Sequence, residues 1–259
     1  MRSISILGCG WLGLPLGRHL AQAGYQVKGS TTHEDKLPLL EKTGIKPFLL
    51  SLNPEVEGES AGFFDADILL INLPPRNRNG EEHFHENQLK SILKNNRSKQ
   101  VLFISSTAVY PSNNKTVFEI DADSSCVTRG GIPLLKMEQL FTKNSAIDTT
   151  VIRFGGLYGP DRHPGRFLAG KKKLAGANNP VNMIHLEDCI GVIQTIIEQN
   201  HWGEIFNACA PSEETRQSFY EKAAEALDIE APTFSDESAP FKKVSSEKLI
   251  KKTGYQFKH

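Results

Sequence analysis

Short continuous apolar runs alternate with segments of helical periodicity from the start of the chain through Phe154. Ile4, Ile6 and Leu7 form the first run, and Leu14 to Ala23 follows with helical character. Further strands are expected over Tyr25 to Ser30, Pro47 to Leu52, Asp67 to Leu73, Val101 to Ile104 and Thr149 to Phe154. The Asp67–Leu73 run is apolar at nearly every position, the pattern of a strand covered on both faces. Helix-compatible segments at 81–94 and Leu134 to Phe141 lie between the later runs, and Asn53 to Ser60 reads as an acidic loop. This order argues for an α/β protein with a doubly wound parallel sheet. Right-handed crossovers then bring the carboxyl ends of the strands to one edge. Gly8–Gly13, Leu73–Arg76, Ser105–Tyr110 and Gly155–Pro160 all follow strands and are expected on that edge.

Beyond Pro160 the pattern loosens. Asp161 to Gly170 is rich in Gly, Arg and His, as a substrate-facing loop or a plain connection would be. Helices are expected over Leu186 to Gln199, Ser218 to Leu227 and Ser245 to Lys252, and a short strand over Ile205 to Asn207 that is free to return to the main sheet. The division expected is a dinucleotide-binding domain over 1–159 and a smaller, substrate-facing lobe over 160–259 packed on it.

Chemistry enters at the first strand–helix junction, Gly8-Cys9-Gly10-Trp11-Leu12-Gly13, a G-x-G-x-x-G turn. Gly8 permits the tight turn off the strand, Gly10 lets the backbone approach a pyrophosphate, and Gly13 lets the helix lie close on the sheet. The free N–H groups and positive dipole end of the helix face the phosphates. A glycine-rich turn alone is a weak signal; its place between a strand and a helix strengthens it. The adenosine ribose is met about 20 residues further on, where a carboxylate selects NAD. Here the stretch is Ser30-Thr31-Thr32-His33, with no carboxylate before Glu34. Hydroxyls, His33 and Lys36 in that position favour NADP over NAD, although Ser30 and Thr31 are also good caps for the next helix. Leu73 and Pro74 end the fourth strand where the following loop lies over the cofactor, with Arg76 and Arg78 beyond them.

Composition mainly excludes. Lys+Arg and Asp+Glu both number 30, so no global charge points to nucleic acid or an anionic membrane. Cys9, Cys126, Cys189 and Cys209 are widely spaced with no C-x-x-C pair, which argues against a disulfide framework or zinc site and for a reducing, cytoplasmic setting. His83 and His85 sit two apart, so on a helix they point to different sides; surface or interface histidines are expected there, and no shared metal. No apolar run approaches the about 18 residues of a membrane span. The expected partner is a small-molecule substrate, with the chain a monomer or homodimer.

The chain resembles the short-chain dehydrogenase/reductase superfamily in its extended, epimerase/dehydratase-like branch, among its atypical members. The resemblance rests on Gly8 to Gly13, on Ser105-Ser106-Thr107-Ala108-Val109-Tyr110, on Arg153 with Leu157-Tyr158-Gly159-Pro160, on Val181 to Asp188, and on Lys248-Leu249 to Gly254-Tyr255. It implies Ser/Thr–Tyr–Lys chemistry, in which a lysine binds the nicotinamide ribose and lowers the pKa of a tyrosine that exchanges a proton with a substrate hydroxyl. By resemblance Ser106 takes the serine position and Lys136 the lysine position, while Ser105 and Lys136 touch the cofactor. The tyrosine position is Ile132, which cannot carry a proton. Tyr110 and Tyr158 are the replacement candidates, against the ordinary alternative of packed tyrosines with bonded hydroxyls. Thr128 and Arg129 could polarise an oxygen, His185 could meet substrate, and Asp188 is expected to tie down the following helix. The resemblance implies an NAD(P)-dependent oxidoreductase or epimerase/dehydratase-like enzyme acting on a small polar or nucleotide-linked substrate. Ile132 keeps open a non-catalytic NAD(P)-binding redox sensor or scaffold.

Overall fold

A computed structural model describes residues 1–74, 83–123 and 131–259, with the side chains at 131–133 outside that description. Arg76, Arg78, Cys126, Thr128, Arg129 and the Ile132 side chain therefore lie outside the described residues. In chain order the elements are β1 (Ser3–Leu7), α1 (Gly13–Gln22), β2 (Gln26–Thr31), α2 (Leu37–Lys42), β3 (Ile45–Leu52), β4 (Val56–Gly58), β5 (Ile68–Ile71), α3 (Phe84–Asn95), β6 (Gln100–Ser106), β7 (Lys115–Val117) and α4 (Gly131–Thr142). They continue with β8 (Asp148–Phe154), β9 (Gly156–Tyr158), α5 (Gly165–Leu168), β10 (Met183–His185), α6 (Leu186–Glu198), β11 (Ile205–Ala208), α7 (Arg216–Glu225), β12 (Lys242–Val244) and α8 (Glu247–Thr253).

An eight-stranded sheet runs in the order β11-β8-β6-β5-β1-β2-β3-β4. The pairs β1–β2, β2–β3, β1–β5 and β5–β6 are parallel. This is the doubly wound architecture expected from the alternation of runs and helices, and the return of β11 to the main sheet belongs to it. The chain moves outward from β1 to β3, then crosses back to β5 on the other side of β1. The order thus reverses beside β1, where open α/β sheets leave a crevice at the carboxyl ends of their strands. Every residue of β5 is buried, as a strand covered on both faces requires. Packing over β1 and β3 depends on Gly17 of α1: a Cβ there would lie 2.7 Å from the Ile45 side chain.

Two local expectations change. Asn53 to Ser60 is not all loop, because β4 pairs antiparallel with β3 through Leu50, Ser51 and Leu52. It is a short, charged edge strand, a form that discourages pairing with other chains. His85 is not a surface residue. It is 3% exposed and its Nδ1 lies 3.0 Å from Gln88 Oε1. Gln88 in turn donates to the Leu52 carbonyl, so α3 is keyed to the end of β3.

Two compact units interleave along the chain. The first comprises Met1–Ser105, Pro133–Ile152 and Ile196–Ile205; the second comprises Ser106–Ile132, Arg153–Thr195 and Phe206–His259. The strands β6, β8 and β11 each begin in the first unit and end in the second. The first unit holds most of the sheet. The second is organised around the parallel pairs β9–β10 and β7–β12 and around a buried polar cluster at Arg153.

Candidate functional site

In the first unit the Gly8–Gly13 turn leaves β1 at the reversal point. Gly8 has φ +102°, in the region that favours glycine, and a Cβ there would stand 2.5 Å from the Asn72 carbonyl oxygen. At Gly13 a Cβ would stand 2.2 Å from the Gly8 carbonyl oxygen. At Gly10 it would meet nothing within 4 Å. Two of the glycines are therefore required by the protein's own backbone, and the middle one faces open space at the start of α1. The Leu14 N–H closes the first helical bond onto the Gly10 carbonyl at 3.0 Å.

The polar groups around the turn hold its shape. Ser30 Oγ accepts the Gly8 N–H at 3.0 Å, and the Ser30 carbonyl accepts the Cys9 N–H at 2.9 Å. Thr31 Oγ1 accepts the His33 N–H at 3.2 Å. Both residues are buried, so the two hydroxyls read from sequence as ribose or phosphate contacts face inward onto the backbone. His33 and Lys36 are exposed. Cys9 is buried against Gly29, and burial pushes its thiol up to about 12, which makes it filler. Asn72, not singled out from sequence, donates from Nδ2 to the Gly8 carbonyl at 3.1 Å. Its signal was a polar residue closing an otherwise apolar strand. Leu73 and Trp11 are half-buried and Pro74 is exposed; a Cβ on Gly8 would touch Leu73 at 3.5 Å.

Ser105, at the end of the first unit's share of β6, donates to the carboxylate of Glu138 on α4. Glu138 is 1% exposed, a buried acid that the sequence did not single out. Lys136, on the same helix, is exposed while Leu134, Leu135 and Met137 around it are buried.

In the second unit Ser106 Oγ accepts the Ala108 N–H at 3.2 Å and caps the short turn at Thr107–Val109. Tyr110 is fully buried. Its hydroxyl accepts from Arg153 Nη1 at 2.7 Å and donates to Asn207 Oδ1 at 2.6 Å. Burial outweighs the nearby guanidinium and pushes the phenol up to about 12. Arg153 also donates to the Glu119 carbonyl, and Lys242 Nζ donates to the carbonyls of Thr107 and Tyr110. The Ser106–Tyr110 segment is thus fixed from several sides.

The second unit also contains a cavity of about 600 Å³, lined by Tyr158, His163, His185, Phe219, Lys222 and His259 among others. Tyr158 meets His185 and Phe219 edge-on, and burial raises its pKa. Burial, then the neighbouring His259, lower the pKa of His185. Asp188 is fully buried and ties down the tail. It accepts from the Tyr255 hydroxyl at 2.9 Å and from the N–H groups of Lys258 and His259 at 2.9 and 3.1 Å.

Fold and turn together define a protein with the fold of the short-chain dehydrogenase/reductase superfamily, of the kind found in NAD-dependent epimerases. Similar solved structures include UDP-glucuronic acid 4-epimerase from Bacillus cereus in complex with NAD, with TM-score 0.76, 17% identity, and coverage of 99% of this chain and 94% of that one. Another is a functionally unknown conserved protein from Silicibacter pomeroyi, with TM-score 0.76, 22% identity, and coverage of 100% and 94%. No family model matches the chain. The chain belongs to the family of Protein YeeZ of Escherichia coli (strain K12), to which it is 33% identical over 267 residues, covering 100% of this chain and 97% of that protein. No described helix is long and apolar enough to cross a membrane.

Proposed function

We propose that the chain binds a nicotinamide dinucleotide on the Gly8–Gly13 turn and acts as an NAD(P)-dependent oxidoreductase or epimerase/dehydratase-like enzyme on a small polar or nucleotide-linked substrate. The observation that carries this reading is the contrast among the three glycines. Gly8 and Gly13 are demanded by backbone contacts, whereas the space a Cβ would enter at Gly10 is open. A turn built this way has room for a pyrophosphate against the N–H groups of α1. The bound nucleotide supplies a reversible hydride acceptor. A UDP-sugar epimerase with NAD among the similar folds supports the same class.

In this reading the backbone of Gly8–Gly13 holds the phosphates, and Leu73, Pro74 and Ser105 border the bound nucleotide. Lys136 holds a ribose hydroxyl, and Ser106 polarises a substrate oxygen. Tyr110 acts as a positioning residue: its hydroxyl is shared between Arg153 and Asn207, so its work is to fix the segment that carries Ser106. The lack of a carboxylate from Ser30 through His33, with exposed His33 and Lys36, favours the 2′-phosphorylated nucleotide.

Thermal-shift titration with NAD, NADH, NADP and NADPH tests binding without a known substrate. A ligand at 100 times its dissociation constant stabilises by about 2.7 kcal/mol. Stabilisation by any of the four supports the reading, and silence from all four overturns it. Preference for the unphosphorylated pair would reverse the assignment of His33 and Lys36. Ile132 in the tyrosine position favours a second reading, a nucleotide-binding sensor or scaffold without turnover. Substrate-dependent turnover that is lost in Ser106→Ala and Lys136→Ala favours the enzyme. Nucleotide binding with no turnover, unchanged by Ile132→Tyr, favours the sensor.

A further inference from the structure

We propose that His185, Glu187 and His259 form a binding site for one divalent transition-metal ion of the zinc class, at the edge of the second unit's cavity, which His185 and His259 line. One ligand atom from each lies within 4.8 Å of the others. Glu187 Oε2 is 3.1 Å from His259 Nε2, and the rings of His185 and His259 are 4.1 Å apart, tilted by 44°. The Nδ1 of His185 accepts the backbone N–H of Glu187 at a long 3.3 Å, a weak bond that this lone pair gives up when it ligates a metal ion. Two imidazoles and one carboxylate suit zinc, cobalt, nickel or iron(II) and not magnesium or calcium.

The cluster has a buried support. His185 ends β10 and Glu187 lies in the first turn of α6, so the strand-to-helix step sets these two residues close together. His259 arrives 72 residues further on and is held through its own backbone by Asp188, which is fully buried. Asp188 also holds Lys258 and the Tyr255 hydroxyl. Tyr255 fits because Gly191 has no side chain; a Cβ there would lie 2.4 Å from the phenol oxygen. A surface His–Glu pair is worth little in isolation. A buried carboxylate with three donors that places the third ligand is more than such a pair requires. Three protein ligands leave a coordination position open, as in catalytic zinc sites. The cavity, with Lys222 and His163 on its lining, gives that position room for a small anionic or carbonyl oxygen ligand. The nucleotide turn lies in the other unit, so this proposal stands or falls apart from it.

The test uses the full chain without an affinity tag, stripped with chelator and titrated with zinc against a competing dye, with cobalt(II) absorption as a second readout. The expected result is one tight equivalent and cobalt bands of low-symmetry nitrogen–oxygen coordination. His259→Gln and Glu187→Gln should each weaken zinc by more than the about 10–100-fold that loss of a supporting contact alone costs. His163→Gln, on the same cavity but outside the cluster, should bind as the parent does. The absence of a tight equivalent in the parent, or equal binding by His259→Gln, overturns the proposal. The side chain of His259 is exposed, so that variant folds even if His185→Gln does not.

Discussion

The glycine turn of the first unit and the histidine cluster of the second are made by opposite means. At the turn, ten residues of contiguous chain from Ile4 to Gly13 supply nearly everything, and side chains such as Ser30 and Asn72 serve only to brace the backbone. At the cluster the backbone is unremarkable and the chemistry lies in side chains brought together across 72 residues by a buried carboxylate. A backbone-built site tolerates almost no added atom; a side-chain-built site depends on its support.

The sharpest way to break that comparison is to add one carbon at each glycine. Gly13→Ala drives a Cβ to 2.2 Å from a carbonyl oxygen that cannot swing aside. The expected cost is about 3 kcal/mol or more, seen as a drop in melting temperature. Gly10→Ala places its carbon in open space, so the melting temperature should stay close to the parent's while nucleotide affinity falls. A Gly10→Ala protein that binds nucleotide normally would remove the turn as the site.

The middle-sized effect probes the support in the second unit. Asp188→Asn keeps the shape but replaces one carboxylate oxygen by an amide NH2, which then faces either the Tyr255 hydroxyl and Lys258 N–H or the His259 N–H. About 2 kcal/mol of stability should be lost, with the C-terminal segment cleaved faster under limited proteolysis. Unchanged cleavage would mean that the tail is held by something else.

The smallest effect returns to the first unit. Burial lowers the pKa of His85 below its ordinary value, so the folded protein binds a proton there less readily than the unfolded chain. The resulting stability is fully present above about pH 6.5, the unfolded value, and is lost as pH falls from there through the lower folded value. Melting temperatures between about pH 7 and pH 5 should fall less steeply in His85→Gln than in the parent. Equal slopes would show that His85 is already accessible to protons.

Much of the first unit was legible because its signals are local. Apolar runs with interleaved helical periods identified the sheet, and the glycine spacing located the turn. The three-residue strands β4, β7, β9, β10 and β12 were not legible, since a segment that short carries no period and exists only through its partner. Tyr110 shows the same limit. Its place after a strand made it a candidate for chemistry, yet its surroundings are set by Arg153, 43 residues away, and Asn207, 97 residues away. Ser30 and Thr31 end β2, and which way their hydroxyls turn is a matter of which backbone N–H is nearest.

By itself, then, the sequence determined the alternation of strand and helix, the parallel sheet and the bend after β1, because backbone sterics and apolar periodicity act between near neighbours. Only the tertiary structure decided which polar side chains meet: Ser105 with Glu138, Tyr110 with Arg153, and His185 with His259. Such meetings depend on how distant segments pack, and no spacing within one segment encodes them.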